Sequence, residues 1–407
     1  MVLVIPPPTV NERTRSYLSG RFGDYYRRHE PSASLTSGRP CAPPRSTDRE
    51  WGYIPFTAGE GTRMVRHEAV LGTDHLGELL QRAKPRHVYH STAWYDDPGA
   101  NTMGAKGWRG ADLVFDLDAD HLPGIDPAQE DNPTMLAACR DETVELVAIL
   151  EDDFGFEDLT IVFSGNRGYH VHVRDDGVAD LDRHARREVV EYVRGEGIAF
   201  DTLVSKELVA GGVGTTTRRS FQTDAGWGRR IAAEVTRYLS GLRAQPRDAV
   251  VEELSSLPDI GPSRAESVAR TVESRWSAIE RGEFDLHPDF VRFVRAFVDH
   301  RVAGSGPAID EPVTTDVHRL IRLPGSLHGA TGLVVQPIDR DQLEGYDPLA
   351  DAVAPMFEQV DITVDVHEPV EVAVGGDTRR FSPGTHEVPE YVGIFLMAGG
   401  HASKVRE

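Results

Sequence analysis

The chain has 407 residues, 39% of them hydrophobic and 27% charged, which fits a folded protein of one large or two to three ordinary domains and excludes wholesale disorder. Its formal net charge is −21, and its 44 basic residues include only four lysines, Lys84, Lys106, Lys206 and Lys404. An acidic chain ordinarily argues against a nucleic-acid partner, but carboxylate excess with almost no lysine also suits a protein in concentrated salt, where the Debye length falls to about 3 Å and self-repulsion is screened. Two cysteines, Cys41 and Cys139, exclude a disulfide scaffold and suit a reducing, cytoplasmic setting. No apolar run approaches a membrane span, and the N-terminal MVLVI has no basic region before it, which predicts no signal peptide.

In chain order, residues 11–30 read as an amphipathic helix and the Pro/Ser-rich 31–50 as a loop. WGYIPF and HVYHSTAWY read as strands, 132–152 as a helix, and IVFSGNRGYHVHV as two strands about a tight turn. From about 181 helical periods dominate, at 182–195, 229–242, 262–281 and 288–301, with a Gly-rich loop VAGGVGTTTRRS among them that is no Walker A loop. Strand patterns return after 310 in GLVVQPI, ITVDVH and VEVAV. The expected division is an N-terminal part of a catalytic domain over 1–180, a mostly helical subdomain over 181–305, and a C-terminal part over 306–407 that completes the site.

Three segments carry chemistry. Along Asp112–Asp120 side chains alternate, so Leu113, Phe115 and Leu117 fall on one face, while Asp116 and Asp118 point the other way, about 7 Å apart. Two carboxylates on a rigid strand can share hard cations in phosphoryl transfer; the bland reading is a solvated strand end. In Ser164-Gly165-Asn166-Arg167-Gly168-Tyr169-His170 the glycines permit a tight turn, and Ser164, Arg167 and His170 can converge on one anion. His172 reads as a structural histidine. In 310–329 an acid, Asp310, opens the segment, a helical turn carries Arg319 and Arg322, and Pro-Gly then breaks the helix ahead of His328; an ordinary capped helix is the alternative.

Together with ERTRSYLSGRFGDYYRR, REWGYIPF, KGWRGADLVFDLDADHL, DEPVTTDVHRLIRLPGSLHG and EYVGIFLM, these segments resemble the catalytic small subunit of DNA primase in the archaeo-eukaryotic primase superfamily, and the archaeal form most closely. The resemblance implies an α/β (α+β) prim fold, with mixed central sheets flanked by helices plus a helical subdomain. It implies metal-binding aspartates at Asp116, Asp118 and Asp310, with Asp316 a lower-ranked competitor, and nucleotide-phosphate contacts at Ser164, Arg167, His170, Arg322 and His328. The implied activity is primer synthesis de novo on single-stranded DNA from NTPs or dNTPs with Mg²⁺ or Mn²⁺, in a heterodimer with a primase large subunit. Many archaeal relatives carry a Cys/His zinc knuckle after the DxD strand. Here that stretch offers only His121 and Cys139, so no structural zinc is expected and Cys139 is read as a buried apolar residue. LPDIGPSRAESV, within 251–271, resembles a helix-hairpin-helix, with a plain helical turn as its alternative. Gap-filling repair synthesis, metal-dependent phosphohydrolysis and non-catalytic nucleic-acid binding are the competing functions.

Overall fold

The computed structural model describes residues 11–28, 42–56, 63–126, 130–211, 214–221 and 226–406, with the backbone alone at 73–74, 205–211 and 214–221. Residues 31–41 of the expected loop, with Cys41, lie outside the described residues. The fold is mixed α and β, and the chain divides into two compact units. One comprises 1–144, 157–187 and 308–407, the other 145–156 and 188–307.

The first unit holds two antiparallel sheets. One runs β10-β3-β1-β2, where β1 is Arg49–Ile54, β2 Val65–Glu68, β3 His87–Tyr95 and β10 Leu320–Arg322, and β4 (Trp108–Ala111) pairs with the far half of β3. The other runs β11-β6-β7-β5, where β5 is Leu113–Asp118, β6 Leu159–Phe163, β7 Gly168–Val173 and β11 Gln336–Ile338. The alternation along β5 buries Leu113, Phe115 and Leu117 completely and leaves Asp116 and Asp118 partly exposed. The helix Asn132–Asp152 brings Cys139 beneath β5, where its buried thiol donates to the Leu117 carbonyl at 3.6 Å.

Arg49 joins the sheets. Its guanidinium donates to the carbonyls of Ser91 and Thr92 on β3 and to Asp112 at 2.9 Å, just ahead of β5. Arg186 holds the same joint from the other side, through the carbonyls of Ala111 and Asp112. Both arginines are buried, and such burial is tolerable only because every guanidinium nitrogen has an acceptor, Nε of Arg49 on the Pro44 carbonyl and Nε of Arg186 on the Leu181 carbonyl. A third sheet centres on Asp361–Val366, between Gly384–Pro389 and Ala402–Lys404.

The second unit is built on Gly226–Arg243, Arg247–Ser255, Pro262–Glu280 and Pro288–Phe297, packed through Ile231, Val235, Leu239, Val268, Phe290, Phe293 and Phe297. The LPDIGPSRAESV segment is a short turn over 257–261 that leads into the first turns of the helix Pro262–Glu280. Leu257 and Ile260 are buried in the core of this unit, and Asp259 takes φ +62°. The expected Gly-rich loop is instead part of an antiparallel pair, β8 (Val204–Gly211) against β9 (Gly214–Phe221). β-branched Val and Thr favour extended backbone in both strands, and that preference outweighs the glycine signal. No helix among the described residues is long and apolar enough to cross a membrane.

Candidate active site

Asp116 and Asp118 sit on β5 opposite His170 and Gly168 of β7. Gly168 has no room for a side chain, since a Cβ there would stand 2.0 Å from the Leu117 carbonyl oxygen. Cross-strand pairing brings His170 Nε2 within 3.4 Å of an Asp116 carboxylate oxygen. Asp310 joins them through the backbone. Its N–H donates to the Asp116 carbonyl at 2.8 Å, and Ile309 bridges to Leu117, so an acid almost 200 residues away in sequence lies beside β5.

The electrostatics follow from this crowding. Burial, and then the Asp310 carboxylate, push Asp116 up to about 6, while Arg319 and Arg322 pull it back. Burial also raises Asp118, with Asp120 and Asp116 adding to it, against the Asp120 N–H bond that lowers it. Burial and the Arg322 charge hold His170 down to about 3, so it is a neutral imidazole. Carboxylates that raise one another suit a hard divalent cation, which relieves their repulsion. Among the described residues, no group of three or more His, Cys, Asp or Glu side chains stands gathered as a metal-ligand cluster.

The remaining predicted contacts flank these acids. Ser164 closes its own turn, its N–H donating to the Gly168 carbonyl and its hydroxyl accepting from the Gly168 N–H. Gly165 takes φ +84°, and a Cβ there would meet the His328 Cβ at 2.6 Å. Thr331 fastens the two loops together by donating its hydroxyl to the Gly165 carbonyl. His328 is buried, and burial with the Arg322 charge keeps it neutral. Arg167 is partly exposed, with one nitrogen on both Asp120 oxygens at 2.9 and 2.7 Å. Arg322 projects from β10 with one nitrogen 2.8 Å from His87 Nδ1 and 3.2 Å from the Tyr89 hydroxyl. One unit therefore presents two acids on β5 with Asp310 beside the strand, and arginine and histidine side chains on the turns and strand around them.

A family model described as DNA primase small subunit matches residues 115–340, which takes in every site residue expected from the sequence but not His87 or Tyr89. The DNA primase small subunit PriS of Haloarcula marismortui is 48% identical over 98% of this chain and all of the relative. The chain belongs to the DNA primase small-subunit family. The PriS of Natronomonas pharaonis is equally similar, at 48% over the same shares, and that of Methanocella arvoryzae is 37% identical over 97% of this chain and 99% of its own length.

Against the family motifs, one expectation is corrected. Arg319 and Arg322 do not ride a helical turn. The helix is confined to Glu311–Thr315, and 320–322 form β10, paired with Ser91, His90 and Tyr89 of β3. Alternating Leu320, Ile321 and Arg322 beside an open strand edge gain more from sheet pairing than from one helical turn. Asp316 accepts from the His318 N–H at 3.0 Å and so stabilises the turn between them. Sequence reasoning missed Asp120, His87 and Tyr89. The carboxylate that holds Arg167 stands in the quoted DADH run, and His87 and Tyr89 alternate in HVYHSTAWY; no spacing in one chain links that strand to Arg322.

Proposed function

We propose that this chain is the catalytic subunit of a DNA primase, making short primers without a pre-existing 3′ end on single-stranded DNA from NTPs or dNTPs. The observation that carries the reading is the joining of Asp310 to Asp116 and Asp118 within one unit that also holds Arg167, His170, Arg322 and His328. Asp116, Asp118 and Asp310 would hold Mg²⁺ or Mn²⁺, which when bound lowers the pKa of the attacking hydroxyl and stabilises charge on the departing phosphates. Arg322 brings a fixed guanidinium to the triphosphate, and Arg167 exchanges Asp120 for phosphate oxygens as nucleotide arrives. His170 and His328, held neutral, donate or accept single hydrogen bonds and add no charge. The small-subunit name of the relatives supports a large-subunit partner, and their haloarchaeal sources support a cytoplasm rich in salt.

Incorporation of labelled NTPs and dNTPs on single-stranded DNA, with and without primer, at low and molar KCl, tests this. Unprimed products that vanish in Asp116→Ala and Asp118→Ala, with folding intact, are expected. Primer extension alone would point to gap filling, and nucleotide hydrolysis without incorporation to a phosphohydrolase. Activity that collapses in molar KCl would overturn the salt adaptation but leave the primase reading standing.

A further inference from the structure

Arg322 owes its place to β3. His87 and Tyr89 are two residues apart and share a face of that strand, and the β10 register sets Arg322 opposite Tyr89. The guanidinium lies over the Tyr89 ring, 5.4 Å from its centroid, with one nitrogen 3.2 Å from the Tyr89 hydroxyl and 2.8 Å from His87 Nδ1. His87 Nδ1 also faces the Gly329 N–H at 3.2 Å.

A guanidinium and a peptide N–H can only donate, so Nδ1 must accept from both and the proton of His87 must sit on Nε2. Burial and the nearby charges of Arg322 and Arg86 act the same way, holding His87 well below its ordinary value. One imidazole nitrogen therefore ties the strand that carries Arg322 to the loop that carries His328. The His87 and His328 rings meet edge to face at 4.8 Å. Arg86 closes the clamp from the other side, donating to the Gly329 carbonyl at 3.0 Å.

We infer that His87 is a positioning residue for nucleotide binding. It fixes Arg322 and His328 relative to one another, so that both reach one triphosphate without either first being ordered. Tyr89 supports the same guanidinium from beneath. This rests on the primase reading of Arg322 and His328. Unlike Arg167, whose ion pair with Asp120 must open, Arg322 is held by the neutral His87 and Tyr89 and has, among the described residues, no carboxylate ion pair to break before an anion arrives.

The test uses the full chain with its large subunit and exploits the two amides. Asn places an oxygen near the Nδ1 position, and Gln places one near Nε2. His87→Gln should raise KM for NTP about 10- to 100-fold with kcat little changed, the size of a lost hydrogen bond to a charged group. His87→Asn should stay within about threefold of the unaltered enzyme because the acceptor is kept. In an Arg322→Ala background the Gln substitution should add less than about twofold, as coupled residues do. Equal KM values for the Gln and Asn variants, or a Gln effect that persists undiminished without Arg322, would overturn the role of His87. Asp116→Ala is run alongside. If it retains synthesis, the primase reading falls; if it is inactive while His87→Gln binds NTP normally, only the positioning role falls.

Discussion

The two units bury different chemistry. The core of the helical unit is apolar almost throughout; its buried polar side chains among the described residues are Thr271 and the Asp153 carboxylate, which Arg230 meets at 3.1 Å. The sheet unit buries Arg49, Glu50, His87, His90, Lys106, Asp112, His170, His172, Arg186, His328 and Glu390. A polar group removed from water costs free energy unless it is paired, so a fold does not collect them for stability alone. Several of these groups tie strands together where the acids and arginines of the site stand. The helical unit follows the ordinary rule of core packing, while the sheet unit accepts desolvated polar groups in exchange for fixed side-chain positions.

That contrast can be broken by substitution. The largest effect expected is at the inter-sheet joint. Arg49→Met leaves Asp112 a buried acid short of its Arg49 partner and should cost about 3–5 kcal/mol in urea unfolding, with synthesis per folded molecule falling as well. Phe293→Ala, in the core of the helical unit, should cost a similar 3–5 kcal/mol through its cavity, yet leave NTP KM unchanged. If both variants damaged nucleotide binding alike, the division of labour drawn here would be wrong.

Next in size is the cost of the acids themselves. Asp116 is raised from 3.8 to about 6, so above pH 6 it is held charged at a disadvantage that the unfolded chain does not share. Asp116→Asn should therefore stabilise the metal-free protein at pH 7.5, on the order of 1–3 kcal/mol, while abolishing synthesis. Added Mn²⁺ should raise Tm in the unaltered protein and much less in the variant, since only a ligand bound to the native state shifts the balance. A destabilised variant would mean that Asp116 is a structural acid.

The smallest effect concerns acid. His90 is pushed down to about 3 and His172 well below its ordinary value, both chiefly by burial. The unfolded chain takes up protons at these residues near pH 6.5 and the native one does not. Their contribution is whole above about pH 6.5 and is lost as pH falls toward 3. Asp116 works in the opposite sense between about 6 and 3.8, gaining stability as pH falls, so Asp116→Asn should steepen the acid limb of urea midpoint against pH. Both ring nitrogens of His172 are buried with no hydrogen-bond partner among the described residues, and His172→Phe should flatten that limb without large loss at neutral pH. The helical-unit substitution Phe293→Ala should leave its slope untouched.

The local pattern was enough for much of this molecule. Period-two alternation places Asp116 and Asp118 on the open face of β5, and period-3.6 runs at 132–152, 229–242, 262–281 and 288–301 mark the helices Asn132–Asp152, Gly226–Arg243, Pro262–Glu280 and Pro288–Phe297, though not Arg247–Ser255. Those signals are short-range, and the residues that make them are neighbours in sequence. The ordered motifs carried the family for the same reason. The paired strands Val204–Gly211 and Gly214–Phe221 and strand β10 are not legible in the sequence, because a glycine-rich stretch and three residues beside a sheet edge are ambiguous until a partner strand exists.

What only the tertiary structure decided is which distant residues meet. That Asp310 hangs from the Asp116 carbonyl, that Asp120 occupies Arg167, and that a histidine in β3 sets the aim of Arg322 are contacts across dozens to hundreds of residues. The physical reason is that side-chain type and spacing fix what a residue can do within its own strand or turn. Its charge state and its partners depend on the desolvation and the neighbours that the folded sheet supplies.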